Sequence, residues 1–313
     1  MFKQCTMHLK DFFYKEYFTR EFQITENGRR SNRRFDPRKP LIENRDQFTE
    51  IKKQNKPVFA AANEILRNVT LQPNDYNLLK HPQFANIASE CINVTTTYPG
   101  LILGTGYVHE TNNEAEFKLG FYFDHTTGLP CIPGSSIKGV LRSVFPDFNQ
   151  KHPFKTIVNI NERQQSKVNF LTEILGWENE ADKVSKIHQL ELAIFKGVAL
   201  NETKLLFDTG KEDIEFSSIY KRFCFYNGYI SGARGNKIFE TDTITPHGTD
   251  PLKSPTPLNF LKIRPNVTFT LPMIFGDLGF LNLERGSILN LFNNIITTTG
   301  IGAKTNVGYG QFK

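Results

Sequence analysis

Residues 124–145, DHTTGLPCIPGSSIKGVLRSVF, limit what this chain can become more than any other stretch, because they read as a loop feeding directly into a helix. Gly128, Pro130, Pro133 and Gly134 punctuate the loop, and Ser135 or Ser136 then offers a side-chain oxygen to cap a helix N-terminus. Ile137, Val140, Leu141 and Val144 recur at helical spacing and give one apolar face, while Lys138 and Arg142, four apart, share the other side. The expectation is a helix that buries one face and presents two cations near its beginning, beside free N–H groups and two serine hydroxyls. That combination is an anion site, and a nucleic-acid phosphate is the obvious anion. The competing reading is a merely solvated helix face, the ordinary fate of long charged side chains.

A second glycine-rich stretch, GIGAKTNVGYG at 300–310, tips the balance. Gly300, Gly302, Gly308 and Gly310 let a backbone lie close against a ligand and offer N–H groups to phosphate. Lys304 adds charge beside Thr305, and Tyr309 is placed to stack on a base or sugar. The alternative is a plain hairpin-type turn. A Walker A loop is excluded, because the lysine does not directly follow the required glycine and a helix, not a strand, precedes the loop. Ser135 and Lys138 also spell the SxxK of penicillin-binding enzymes, but its companion SDN and KTG motifs are missing, so a serine nucleophile is discounted.

Charge points the same way. The net charge is +6 with a pI near 9.0. Residues 28–39, GRRSNRRFDPRK, hold six basic residues and one acid, so +5 of the +6 lies there. Such a concentration suggests a polyanionic partner. Arg29, Arg30, Arg33 and Arg34 are candidate contacts, and Pro37 and Pro40 discourage regular structure. The run reads either as a mobile arm that orders on RNA or as a solubilising loop.

The four cysteines are far apart and form no CxxC pair, which suggests neither a zinc ribbon nor a disulfide framework, and places the chain in the reducing cytosol. No apolar run approaches the ~20 residues that cross a bilayer, and the charged beginning is unlike a signal peptide. No histidine falls at metal-ligand spacing, so neither metal nor cofactor is expected. His125, after Asp124, and His247, ending DTITPH at 242–247, read as RNA contacts, as acid/base groups or as loop hydrogen-bonders.

Along the chain, helices are expected at 44–69 and 74–90, a strand at 91–103, helices at 166–177 and 183–199, and a strand at 221–230. A long loop, 231–257, carries Arg234, Lys237, Asp242 and His247. A hairpin at 259–263 and 266–275 turns at Pro265-Asn266, a helix at 284–297 ends at a Gly300 C-cap, and a last strand closes at 307–312. The division is an N-terminal extension, 1–90, and an α+β core, 91–313, with a helical insertion at about 150–215. The central order resembles the ferredoxin-like, split β-α-β arrangement.

PGSSIKGVLRS at 133–143 and the terminal GIGAKTNVGYGQF resemble the RAMP superfamily of CRISPR-associated RNA-binding proteins. The likeness implies a ferredoxin-like (RRM-like) core whose first helix and C-terminal glycine-rich loop hold guide RNA. On that likeness Ser135, Ser136, Lys138, Gly139 and Arg142 fall on the helix motif, and Gly302, Lys304, Thr305, Gly308, Tyr309 and Gly310 on the glycine loop. DTITPH narrows it, being similar to a motif of the sixth-numbered subunit of the Cmr (type III-B) complex. That subunit caps one end of the complex near the guide RNA 3′ region, beside the repeating backbone subunit and other RAMP subunits. Two functions follow: a non-catalytic RNA-binding subunit, or a metal-independent endoribonuclease of the same superfamily that processes CRISPR precursor RNA with His125 or His247 as acid/base. Paired catalytic groups are not evident, which favours the first.

Overall fold

In the computed structural model, residues 22–26, 29–33, 63–64, 67–70, 88–103, 122–124, 127–155, 157, 159–200, 214–244 and 257–313 are described. The fold is mixed α+β, with four α-helices and an antiparallel sheet among these residues. In chain order the strands are β1 (Phe22–Glu26), β2 (Arg29–Arg33), β3 (Glu90–Thr95), β4 (Cys131–Ile132), β5 (Cys224–Phe225), β6 (Gly228–Ala233), β7 (Phe239–Ile244), β8 (Leu258–Ile263) and β9 (Val267–Ile274). The helices are α1 (Gly134–Ser143), α2 (Glu162–Leu175), α3 (Lys183–Glu191) and α4 (Arg285–Thr299), and α3 runs on into a π-helical turn, Leu192–Lys196.

β9 is the axis of the molecule. The main sheet has the order β3-β9-β6-β4, and β5 also pairs with β9. Val267, Phe269, Leu271 and Met273 alternate along β9 and are buried, as period-2 patterning requires. Ile92 and Val94 of β3 lie at the same levels, paired with Leu271 and Phe269. Onto this sheet α4 lays Ile288, Leu291, Phe292, Ile295 and Ile296, all buried, and α1 lays Ile137 and Leu141. Each such side chain contributes ~1.5–3 kcal/mol by leaving water. α2 packs on α4 and α3 packs on α2. α2 starts at a capping box in which Asn161 and Gln164 exchange side-chain-to-backbone bonds, and ends at Gly176 in the left-handed conformation.

Several expectations are corrected. The segments 259–263 and 266–275 are both strands around the expected turn, yet they do not form a hairpin. β8 pairs with β7, while β9 lies between β3 and β6. The expected long loop is shorter, because Phe239–Ile244 is strand β7 and holds Asp242 in register with Phe260. The expected last strand is reduced to a bridge between Thr96 and Phe312, flanked by backbone bonds of Thr97 to Gln311 and of Thr95 to Lys313. A short 3-10 turn, Thr305–Val307, takes up the start of that segment. The basic run is partly ordered: β2 pairs with β1, setting Arg29 opposite Glu26, Arg30 opposite Thr25 and Arg33 opposite Phe22. Arg34, His125 and His247 lie outside the described residues, as do most of the helices expected at 44–90.

Candidate nucleic-acid interface

α1 begins where β4 and the turn before β6 meet. Gly134 lies so close to the Phe225 carbonyl that a Cβ could not fit. Its N–H donates to Asn227 Oδ1 at 3.0 Å, and the N–H groups of Ser136 and Ile137 both donate to Pro133 O, at 2.9 and 3.1 Å. Pro133 holds the cap position and no side chain caps the helix, so the expected serine cap is not formed. Three of the leading N–H groups are thus spent on protein acceptors. Ser135 and Gly139 are exposed, and Ser136 and Lys138 are half-buried. Arg142 is in the last turn, not near the beginning, and its Nε donates to Glu191 Oε1 at 2.9 Å. It joins α1 to α3, so of the two expected cations Lys138 alone stands near the start.

The glycine loop is held by the segment after β3. Ala303 N–H donates to Ile102 O and Gly310 N–H to Gly100 O, each at 2.7 Å. Ile301 N–H returns to Gly310 O at 2.8 Å. Gly310, at φ +70°, leaves no room for a Cβ against Ile301 O, and Gly302, at φ +110°, none against Ile102 O. These glycines therefore allow close approach of the chain to itself. Lys304, itself in the left-handed conformation, is exposed, Thr305 and Gly308 are half-buried, and Val307 is exposed.

Tyr309 does not offer its ring. It is 8 % exposed, packs edge-on to Phe260 at 6.0 Å, and its hydroxyl donates to Asp242 Oδ2 at 2.8 Å. The same carboxylate oxygen accepts from Lys262 Nζ at 2.8 Å, and Glu240 lies 3.4 Å from that ammonium. Burial by itself would raise the Asp242 carboxyl, but hydrogen bonds from Lys262, Tyr309 and the Thr243 N–H outweigh it and hold the pKa below its usual value. The Tyr309 phenol is pushed up to about 12, by burial first and then by Asp242. Asp242, singled out within DTITPH, thus fastens β7 to the glycine loop.

Lys262 and Tyr98 were not anticipated. Lys262 Nζ sits 6.0 Å from the Tyr98 ring and 5.9 Å from that of Tyr309. Tyr98 is 84 % exposed and heads the turn that carries Pro99 and Gly100. The Tyr-Pro-Gly string was the available signal, hidden inside a run of β-branched residues that reads as one strand. Arg234 is exposed and starts a 3-10 turn just beyond β6, its N–H donating to Asn266 O at 3.1 Å. Tyr98, Arg234 and Lys304 therefore belong to one end of the sheet, where Val267 begins β9. α1 begins beside Phe225, which pairs with Met273 near the other end. From Val267 to Met273 is roughly 20 Å of strand at ~3.3 Å per residue. The start of the helix motif and the glycine loop thus stand toward different ends of the sheet.

Among the described residues no group of three or more His, Cys, Asp or Glu side chains is placed to hold a metal ion, and no helix is long and apolar enough to cross a membrane. Cys91, Cys131 and Cys224 are free thiols, and burial pushes that of Cys131 up to about 12.

The RAMP superfamily profile matches residues 93–313. Among curated protein sequences there is no significant match. Among solved structures, one similar chain comes from a cryo-EM structure of the type III-B Cmr-beta bound to cognate target RNA; it is 21% identical, with 88% of this chain and 77% of that chain covered and a TM-score of 0.48. Another is the crystal structure of Cmr6 from Pyrococcus furiosus, 20% identical over 71% of this chain and 97% of that one, with a TM-score of 0.38.

Proposed function

The chain belongs to the RAMP superfamily, and from that premise we propose that it is a non-catalytic subunit of a type III-B CRISPR (Cmr) ribonucleoprotein directed against foreign RNA. It binds the 3′ region of the guide RNA, caps one end of the complex beside the repeating backbone subunit, and acts in the cytoplasm. The observation that carries this reading is the extent of the family match, since 93–313 contains both 133–143 and 300–310. The narrower, type III-B placement rests on the likeness of DTITPH. The sheet supports a ferredoxin-like core: Phe312 beside Thr96, then β3, β9 and β6, is the order of a split β-α-β arrangement with α1 and α4 as its helices. We read 91–313 as this core, 1–90 as an N-terminal extension and about 150–215 as a helical insertion.

RNA would be held mainly through its backbone. Lys138 beside Ser135 and Ser136, and Lys304 with Thr305, supply cations and hydroxyls that bind phosphate without reading sequence. The Arg29, Arg30, Arg33 and Arg34 run and Arg234 add positive charge, and Tyr98 offers the exposed ring that Tyr309 does not.

The deciding experiment is recovery of RNA with the tagged protein purified without nuclease. RNAs of discrete lengths sharing a repeat-derived end, together with other RAMP subunits, are expected. Cleavage of repeat RNA at one position by the purified protein would overturn the non-catalytic reading and assign the chain to guide-RNA processing. Recovery of neither RNA nor partners would overturn the whole proposal.

A further inference from the structure

Between the end of α1, the 145–151 loop, α2 and α3 lies a cavity of about 770 Å3. That size is ample for a small organic ligand. Its lining carries four cations, Arg142, Lys151, Lys167 and Lys196, against two acids, Asp147 and Glu191. Arg142 is engaged by Glu191, and Lys167 Nζ donates to the Ser143 and Phe145 carbonyls at 2.6 and 3.2 Å. Lys151 and Lys196 are exposed and make no ion pair among the described residues.

Two features of this cavity are not explained by packing. The first is His188, which lines it and is only 3 % exposed. Its Nε2 is the one buried side-chain nitrogen or oxygen among the described residues with no hydrogen-bond partner. The imidazole also bonds the His152 backbone, and Phe148 stands edge-on to the ring at 5.6 Å. Burial lowers the His188 pKa, so at neutral pH Nε2 carries a lone pair and needs a donor. The second is Gly139. Glycine is a poor helix former, yet here it sits inside α1 with helical geometry, and an added Cβ would meet nothing within 4 Å. Close packing does not require it; a bare backbone at this point leaves the cavity mouth open. At the rim Phe216 is 55 % exposed, with the Arg222 guanidinium 5.9 Å from its ring.

We propose that this cavity receives one unstacked nucleotide of single-stranded RNA, its base among Phe148 and Phe216 with an N–H turned to His188 Nε2 and its phosphate met by Lys151 and Lys196. The inference rests on the RNA-binding reading above. Aromatic walls interleaved with cations suit a base and its phosphate. Nucleobases bring ring N–H or amino donors to their Watson–Crick edges, which is what a buried neutral imidazole acceptor lacks. An acidic peptide would meet the lysines but gives the aromatic rim no comparable role.

The test uses the full chain, a short fluorescent single-stranded RNA carrying 4-thiouridine, and two variants. Gly139→Trp should plug the mouth and Phe216→Ala should remove the exposed ring, each weakening RNA binding about tenfold, the scale of one stacked base. Both should melt within a few degrees of the wild-type temperature, which separates lost binding from lost folding. Photo-crosslinks should fall in 145–151 and 214–222. If the wild type binds RNA but Phe216→Ala binds equally well and the crosslinks lie elsewhere, the cavity holds no nucleotide, although the RNA-binding reading stands. If Gly139→Trp alone weakens binding, RNA crosses the outer face of α1 and the cavity inference is overturned. If the wild type binds no RNA, alone or in the complex it purifies with, both readings fall.

Discussion

Lys262 is the residue on which most of the electrostatics at one end of the sheet converge. Its side chain is 6% exposed and is compensated by Asp242 and Glu240, with Tyr309 sharing the Asp242 oxygen. Removing the ammonium leaves two carboxylates facing each other and a phenol bonded to one of them. Because Asp242 and Glu240 keep some contact with water, the cost falls between that of a surface pair and that of a fully buried one. Lys262→Met should destabilise the protein by about 2 kcal/mol, seen as a lower urea midpoint at unchanged slope. His188 sets a pH dependence of a definite sign. Its folded-state pKa is depressed from 6.5, so below that value the unfolded chain takes up a proton that the folded chain resists. Stability is fully present above about pH 6.5 and is lost as the pH falls from there toward the folded-state pKa. Urea midpoints should drop between neutral and mildly acid buffer, and His188→Gln should flatten that drop.

At the level of elements, the glycine loop behaves as a clasp between the end of α4, the turn after β3 and strand β7. Gly310→Ala tests this, since φ +70° and contact with Ile301 O oppose a Cβ together. A loss of about 2–3 kcal/mol is expected, with RNA affinity falling only as far as the loop is displaced; an unchanged melting temperature would mean the loop is loosely held. Among the described residues the helices were the legible part of this fold. The stripe of Ile288, Leu291, Phe292 and Ile295 gives α4 its face, and Gly300 ends it as expected. Strand partners were not legible, because alternation marks a strand without saying which neighbour it takes. β8 and β9 follow one another across a good turn, yet the apolar residues of β9 are needed between β3 and β6. The candidate site was half legible. Lys304, read from the glycine loop as a source of charge, is exposed, whereas the helix spacing that put Lys138 and Arg142 on one side could not reveal Glu191, which comes from α3 and takes Arg142.

For the molecule as a whole, the start of α1 and the glycine loop stand toward different ends of β9, and that makes a quantitative demand on RNA binding by Lys138 and Lys304. Sites this far apart with no shared partner act independently. Lys138→Ala and Lys304→Ala should each shallow the dependence of log affinity on log salt by ~0.7, and the double variant should show the sum. A double effect no larger than either single one would mean that the two stretches close on the same phosphate.

The Asp242–Lys262–Tyr309 contact has a last implication, which concerns descent. Asp242 and Tyr309 stand 67 positions apart and meet through one hydroxyl. Exchanging Lys262 alone strands two carboxylates, and exchanging Asp242 alone strands the buried phenol, so drift at either is opposed until another of the group has moved. In lineages of this protein Asp242 and Lys262 should pass on together or be replaced together, whereas Tyr309 can give way to a phenylalanine without stranding a charge.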